Sequence, residues 1–124
     1  MGRVRAGRIP ERILSAVSQF PADPPEKGRR PVVIVSLDAR NRHERAATVL
    51  VVPLTTSIHK DAPTHVYLPA RETGLQADSA ARGEDITVVR KEALVESRIC
   101  LRRLGNTRIC ELAHKVLIAT GCAP

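Results

Sequence analysis

Aromatic residues are nearly missing from this chain of 124 residues: Phe20 and Tyr67 stand alone, and there is no tryptophan. The apolar 43% is therefore almost entirely aliphatic, which argues against the extensive base stacking of proteins that coat single strands. Cysteine is sparse too. Cys100, Cys110 and Cys122 are odd in number and never fall in a CxxC spacing, so neither a zinc pattern nor a disulfide framework is indicated. They read as reduced thiols of a cytoplasmic protein, with Cys100 packed in a strand. No apolar run approaches the roughly 18 residues that a membrane helix needs. After Arg3, Arg5 and Arg8, the residues Pro10, Glu11 and Arg12 stand where a secretory leader needs an apolar core. No P-loop or nucleophile elbow occurs. His59, His65 and His114 have no partner at metal-ligand spacing and read as structural or solvated residues. A soluble, cytoplasmic protein without metal, cofactor or membrane contact is the expectation.

What the chain does carry is positive charge. The formal net charge is +7, and arginine far outnumbers lysine. The planar guanidinium fork suits bidentate phosphate contacts, so a polyanionic partner, either nucleic acid or an acidic protein tail, is favoured over a merely solvated basic surface. The length suits a single domain over residues 1–124, enough to bury roughly two-thirds of the unfolded chain's surface around one core.

Periodicity gives a chain of short strands and one helix. A first strand is expected at 8–17, confined to a sheet edge by Pro10, followed by a proline-rich loop at 21–29. Apolar strands at 31–37 and 47–55 flank a polar turn at 38–46, and a connection at 58–63 leads to the alternating THVYL of 64–68. Residues 70–78 turn around Gly74, and further strands are expected at 79–89 and 98–103. Ile109, Leu112, Ala113, Val116, Leu117 and Thr120 then fall at helical spacing. That predicts a helix at about 107–120, capped by Asn106 or Thr107 and ended by Gly121. The sum is an α+β, mainly β protein: a small antiparallel barrel, whose closure leaves few open sheet edges, with a C-terminal helix.

Four places could carry chemistry. Arg29 and Arg30 precede Pro31, which forces Arg30 to be extended and fixes its direction at the mouth of a strand; charges flanking a strand for solubility fit the same residues. The turn Asp38–Arg45 holds Arg40, Asn41, Arg42, His43 and Arg45, either a soluble hairpin loop or one that tracks phosphates. Thr55, Thr56 and Ser57 end a strand, where hydroxyls satisfy local backbone groups or donate to a phosphate oxygen. Arg82 and Glu84 stand two apart, so that in a strand both project from one face, and Gly83 between them admits a close approach. They form either a surface ion pair or a base with a charge stabiliser beside it.

In order and spacing these segments resemble the MazF/PemK (Kid-like) family of bacterial toxins. The likeness is carried by GRRPVVIVS at 28–36, Asn41-Arg42, VLVVPLTTS at 49–57, PTHVYL at 63–68, ETGLQADS at 72–79, the run Arg82-Gly83-Glu84-Asp85-Ile86, and the helical ending RRLGNTRICELAHKVLIATG. It covers about residues 28–121. The resemblance implies a homodimer of SH3-like barrels that cleaves single-stranded RNA, held in check by a cognate antitoxin with an acidic, partly disordered tail. Catalytic positions of the family match at Arg30 and Thr55, and those of its PemK branch at Arg82 and Glu84, with Glu replacing that branch's Asp. Arg29, Arg40, Asn41, Arg42, His43, Arg45, Thr56 and Ser57 are then expected to bind RNA. Three departures leave the sequence preference open. Pro-Ala-Asp-Pro-Pro-Glu-Lys at 21–27 replaces the family's Gly-x-Glu-Gln or His-Glu-Gln, Gly7-Arg8 replaces Gly-Asp or Gly-Glu, and Thr87 stands where an arginine is common.

RNA supplies its own nucleophile, the 2′-hydroxyl, so the implied reaction needs no metal and leaves a 2′,3′-cyclic phosphate or 3′-phosphate and a 5′-hydroxyl. Glu84 is the expected base. Arginine stays charged in proteins, so Arg82 and Arg30, with a hydroxyl from Thr55, are expected to stabilise charge rather than donate a proton. Two competing readings keep the barrel and drop the nuclease. A topoisomerase poison like CcdB relies on a terminal aromatic, whereas this chain ends Thr-Gly-Cys-Ala-Pro. A non-catalytic relative that binds only RNA or antitoxin is the other.

Overall fold

In the computed structural model, residues 17–21, 29–94 and 104–122 are described. The expected strand at 98–103 with Cys100, most of the strand at 8–17 and of the loop at 21–29, and the side chains of Arg29 and Arg30 lie outside them. Six strands form one antiparallel sheet: β1 (Val17–Pro21), β2 (Arg29–Ile34), β3 (Thr48–Thr55), β4 (His65–Leu68), β5 (Ser79–Arg82) and β6 (Thr87–Arg90). Their order is β1-β2-β3-β5-β4, with β6 also paired to β3. Three α-helices, α1 (Asp38–Arg42), α2 (Ala70–Thr73) and α3 (Asn106–Ala119), and two 3₁₀ turns, Gly83–Asp85 and Lys91–Ala93, complete the described residues. The α+β, mainly β barrel-like architecture is the expected one.

β3 organises everything else, because both of its edges are used. Val32–Ile34 of β2 pair with Val51–Pro53 along one edge. Along the other, Thr48–Val51 pair with Thr87–Arg90 of β6, and Leu54 and Thr55 pair with Ala81 and Ala80 of β5. Between these two paired stretches β3 contributes Val52 and Pro53, while the facing chain contributes the five residues 82–86. The surplus coils into a 3₁₀ turn, Gly83–Asp85. An insertion of this kind bends a strand and re-aims its side chains. The single strand expected at 79–89 is thus two strands with a projecting turn between them.

β3 is buried on both faces, with Val49 and Val51 on one and Val52 and Leu54 on the other. Val52 and Leu54 join Val33, Val66, Leu68, Ala81, Leu104 and Leu112 in the core, with Val35, Leu75, Ile86 and Ile109 packed against it. Leu112 and Ile109 dock α3 on the sheet; Ala113 and Leu117, expected on the same apolar stripe, face solvent instead. Gly105 rather than Asn106 or Thr107 occupies the N-cap, and no side chain caps α3. Its end is as expected. Gly121 takes φ 82°, its N–H donates to Ile118 O, and Cys122 N–H donates to Leu117 O, the paired bonds of a Schellman motif. Arg108 forks onto both carboxylate oxygens of Glu72 at 2.8 Å and also reaches Glu111 at 3.0 Å. That pairing ties α3 to α2.

Two other expected turns contain helices. Residues 70–78 begin as α2, which ends at Gly74 with φ 78°. The turn at 38–46 begins as α1, and Asn41 is its buried residue.

Candidate active site

The registers of β3, β5 and β4 assemble one outward face. Thr55 lies opposite Ala80, and Ala80 opposite Tyr67; one pleat along, Arg82 lies opposite His65. Side chains alternate across a sheet, so these five share a face while Leu54, Ala81, Val66 and Leu68 fill the core beneath. Two neighbouring cavities open on this face. One of about 320 Å³ is lined by Pro31, Pro53, Leu54, Thr55, Thr56, Ser79, Arg82 and Asp85. The other, of about 300 Å³, is lined by Ile58, His59, Lys60, His65, Tyr67 and Ala80. A larger cavity of about 550 Å³ lies between the Val35–Asp38 segment and the start of α3, with Asp38 its one ionisable wall residue. It gathers no acid–base or phosphate-binding group, so the two smaller cavities are the chemical centre.

Arg82 and Glu84 do meet, but not by strand alternation. β5 stops at Arg82, and the 3₁₀ turn carries Glu84 back so that its Oε2 lies 3.3 Å from Arg82 Nε. Asp85 Oδ2 approaches the same Nε at 3.1 Å. The guanidinium is therefore held from one end by two carboxylates. Gly83 makes the turn possible: a Cβ there would sit 2.9 Å from Thr64 O and 3.1 Å from Lys115 Cβ, while its N–H donates to Thr64 O at 2.9 Å.

Glu84 is the most heavily bonded carboxylate of the face. It accepts from the Thr64 hydroxyl at 2.7 Å and lies 3.1 Å from His65 Nε2. Partial burial alone raises its pKa. The bonds from Thr64, from its own backbone N–H and from His65, with the charge of His65, outweigh burial and bring the pKa to about 2. A carboxylate so stabilised is ionised throughout the neutral range and is a weak proton acceptor. His65 Nδ1 is buried and meets no hydrogen-bond partner among the described residues.

Thr55 sits at the end of β3, where its Oγ1 accepts the Ser57 N–H at 3.1 Å. The hydroxyl hydrogen stays available to a ligand. Thr56 lines the same cavity and, like Ser57, is exposed. Pro31 forms the opposite wall, and the backbone of Arg30 precedes it in β2, paired with Phe20.

The basic turn is elsewhere. β3 separates its Thr48 end from Thr55 by seven residue steps, roughly 23 Å of extended chain, so within one chain Arg40, Arg42, His43 and Arg45 do not join the Thr55–Arg82 cluster. Asn41 requires a correction. Its side chain is fully buried, its Nδ2 donates to Ser36 O at 2.9 Å, and its Oδ1 accepts from Ser36 Oγ. Ser36 Oγ in turn accepts Leu50 N–H, so Asn41 locks α1 onto β3 and cannot touch RNA. Arg40 donates to Thr48 O at 2.6 Å and to Thr48 Oγ1 at 2.9 Å. His43 Nδ1 accepts Arg45 N–H at 3.2 Å, and its carbonyl accepts from the buried Lys91 ammonium at 3.0 Å. Arg42 and Arg45 are exposed.

Residues missed from sequence are Thr64, His65, Tyr67, Lys60 and Asp85. The alternation of THVYL already puts His65 and Tyr67 on one face; their pairing with β5 was the missing piece.

Residues 12–119 match the family described as PemK-like, MazF-like toxin of type II toxin-antitoxin system. Over 89 residues the chain is 38% identical to Endoribonuclease MazF9 of Mycobacterium tuberculosis (strain ATCC 25618 / H37Rv), covering 69% of this chain and 70% of that protein. It is 33% identical to Endoribonuclease MazF of Staphylococcus epidermidis, covering 76% and 75%. Among solved structures it resembles the Mycobacterium tuberculosis toxin MazF-mt6, with a TM-score of 0.69 at 20% identity over 86% of this chain and 96% of that one. A mycobacterial endoribonuclease in complex with its cognate antitoxin superposes with a TM-score of 0.66 at 22% identity, over 88% and 94%. With its fold, its outward Thr55–Arg82 face and these matches together, the chain belongs to the PemK/MazF family of type II toxins.

Proposed function

We propose that this protein is an endoribonuclease toxin that cleaves single-stranded RNA and is neutralised by a cognate antitoxin. The observation that carries this reading is the cavity in which Thr55, Arg82 and Asp85 converge beside Pro31, in a chain whose 38% identical relative is named an endoribonuclease. The scissile phosphate sits between the Thr55 hydroxyl and the Arg82 guanidinium. The 2′-oxygen attacks phosphorus, the bond from phosphorus to the 5′-oxygen breaks, and the products carry a 2′,3′-cyclic phosphate and a 5′-hydroxyl. Water protonates the leaving oxygen.

Glu84 takes the 2′-OH proton in this scheme, but with a pKa of about 2 it supplies the smaller part of the acceleration. Charge stabilisation at the phosphorane, by Arg82 and the Thr55 hydroxyl, supplies the larger. Glu84 also fixes Arg82, which it shares with Asp85. In this reading Arg30 serves as a second cation, and Arg29, Arg40, Arg42, His43, Arg45, Thr56 and Ser57 as RNA-backbone contacts. The roughly 23 Å separation of the basic turn from Thr55 suits an extended single strand that crosses a homodimer, the turn of one subunit serving the flanks of the bound RNA. The net charge of +7 suits both RNA and an acidic antitoxin tail, and the cytoplasm is where both are met.

The test is to incubate the purified protein with a long single-stranded RNA and map the new ends. Discrete cuts with 5′-hydroxyl termini support the reading; intact RNA at stoichiometric protein contradicts it.

A further inference from the structure

The second cavity of the outward face shares only His65, which bonds Glu84, with the chemistry just described, and it is built around the exposed ring of Tyr67. Tyr67 is 40% exposed. Its hydroxyl donates to Asp78 Oδ2 at 2.7 Å, and Asp78 Oδ1 accepts the Ala70 N–H at 2.8 Å. The ring is thereby clamped against the start of α2 rather than left to turn. Ala80 faces it from the neighbouring strand, and its small side chain is part of the cavity wall. His65 and His59 stand on the other side, with ring centroids 6.5 Å apart. The Lys60 ammonium lies 5.7 Å from the centre of the Tyr67 ring.

We infer that this cavity is a subsite for one unpaired nucleobase, stacked on Tyr67, of the RNA whose phosphate occupies the Thr55–Arg82 cavity. The inference rests on the RNA-cleaving reading and names how that site selects its substrate. Three observations carry it. Ala80 separates Thr55 from Tyr67 by two strand spacings, about 10 Å, so a nucleotide held at its phosphate by Thr55 reaches Tyr67 with its base. The volume of about 300 Å³ admits one ring system and no duplex. The negative charge of Asp78 is engaged by Tyr67 and Ala70 and faces the charges of Arg71 and Lys60, and the flexible stem of Lys60 lets it leave the ring for a phosphate when a base arrives. A rigid tyrosine is also an economical stacking surface in a chain with so few aromatics, since it has only two side-chain torsions to fix.

Tyr67 is the chain's one tyrosine and there is no tryptophan, so intrinsic emission reads this ring directly. The parent protein is titrated with a 2′-O-methyl heptamer spanning its mapped cleavage site, or with A, C and U homoheptamers where it cuts nothing. Binding is followed separately by anisotropy of an end label. The expected result is saturable loss of more than half of the tyrosine emission. Tyr67→Ala should lose the base preference at one nucleotide position and cleave the parent's best site about tenfold or more slowly, in line with one lost base stack, while Tyr67→Phe keeps the preference. Heptamer binding with unchanged emission, quenching by an acidic antitoxin peptide alone, or an unaltered cleavage profile in Tyr67→Ala would overturn the subsite. Quenching by heptamer in a parent that cuts no RNA would support it and remove the nuclease reading instead.

Discussion

Glu84→Gln separates what this carboxylate does for the fold from what it does for the reaction. Its pKa falls from 4.5 to about 2 in the folded protein, which at full value corresponds to roughly 3 kcal/mol. The side chain is 32% exposed, and solvent screening reduces that to about 1–2 kcal/mol. Because the folded pKa is depressed, this stabilisation is fully present above pH 4.5 and is lost as pH falls through 2. Glutamine keeps the shape but carries no charge for Thr64, its own backbone N–H and His65 to stabilise. Urea denaturation of parent and variant should therefore differ by about 1–2 kcal/mol at pH 7, with the gap closing between pH 4.5 and 2. Cleavage should fall by about 10²-fold, the low end of the range for general bases, with RNA affinity little changed. A stability gap that is the same at pH 7 and pH 2 would refute the electrostatic reasoning. Cleavage at the parent rate would remove Glu84 from the proton transfer.

Two further substitutions test the frame that holds the site. Gly83→Ala drives a methyl group to 2.9 Å from Thr64 O and 3.1 Å from Lys115 Cβ, so denaturation should show a loss of about 1–3 kcal/mol, with cleavage reduced because Arg82 and Glu84 shift with the turn. Asn41→Ala leaves the buried Ser36 groups without their partner and should destabilise by about 1–3 kcal/mol. RNA affinity measured below the melting temperature should be unchanged, whereas an RNA-contacting asparagine would show the opposite pattern.

Much of the fold was legible because its signals are local. The apolar run at Thr48–Leu54, the alternation of THVYL and the helical spacing of Ile109 and Leu112 all report burial within one element. Gly121 could be read as a helix stop from its residue type, and φ 82° is the reason. What escaped was non-local. Nothing near Arg82 announces that residues 82–86 face only two residues of β3, and that mismatch converts a strand into the turn that builds the site. Asn41 looked like a surface residue among arginines, but Ser36 gives its amide a buried partner across the turn. His65 seemed idle until pairing set it opposite Arg82.

Single-turnover cleavage of a labelled single-stranded RNA by Arg82→Ala, beside the parent at saturating protein, bears most directly on the proposed chemistry. Arg82 at the developing phosphorane requires the rate to drop by about 10²-fold or more, while the dissociation constant rises only as far as one lost cation explains. Parent-like turnover by Arg82→Ala, or a loss confined to binding and restored by raising its concentration, would contradict it.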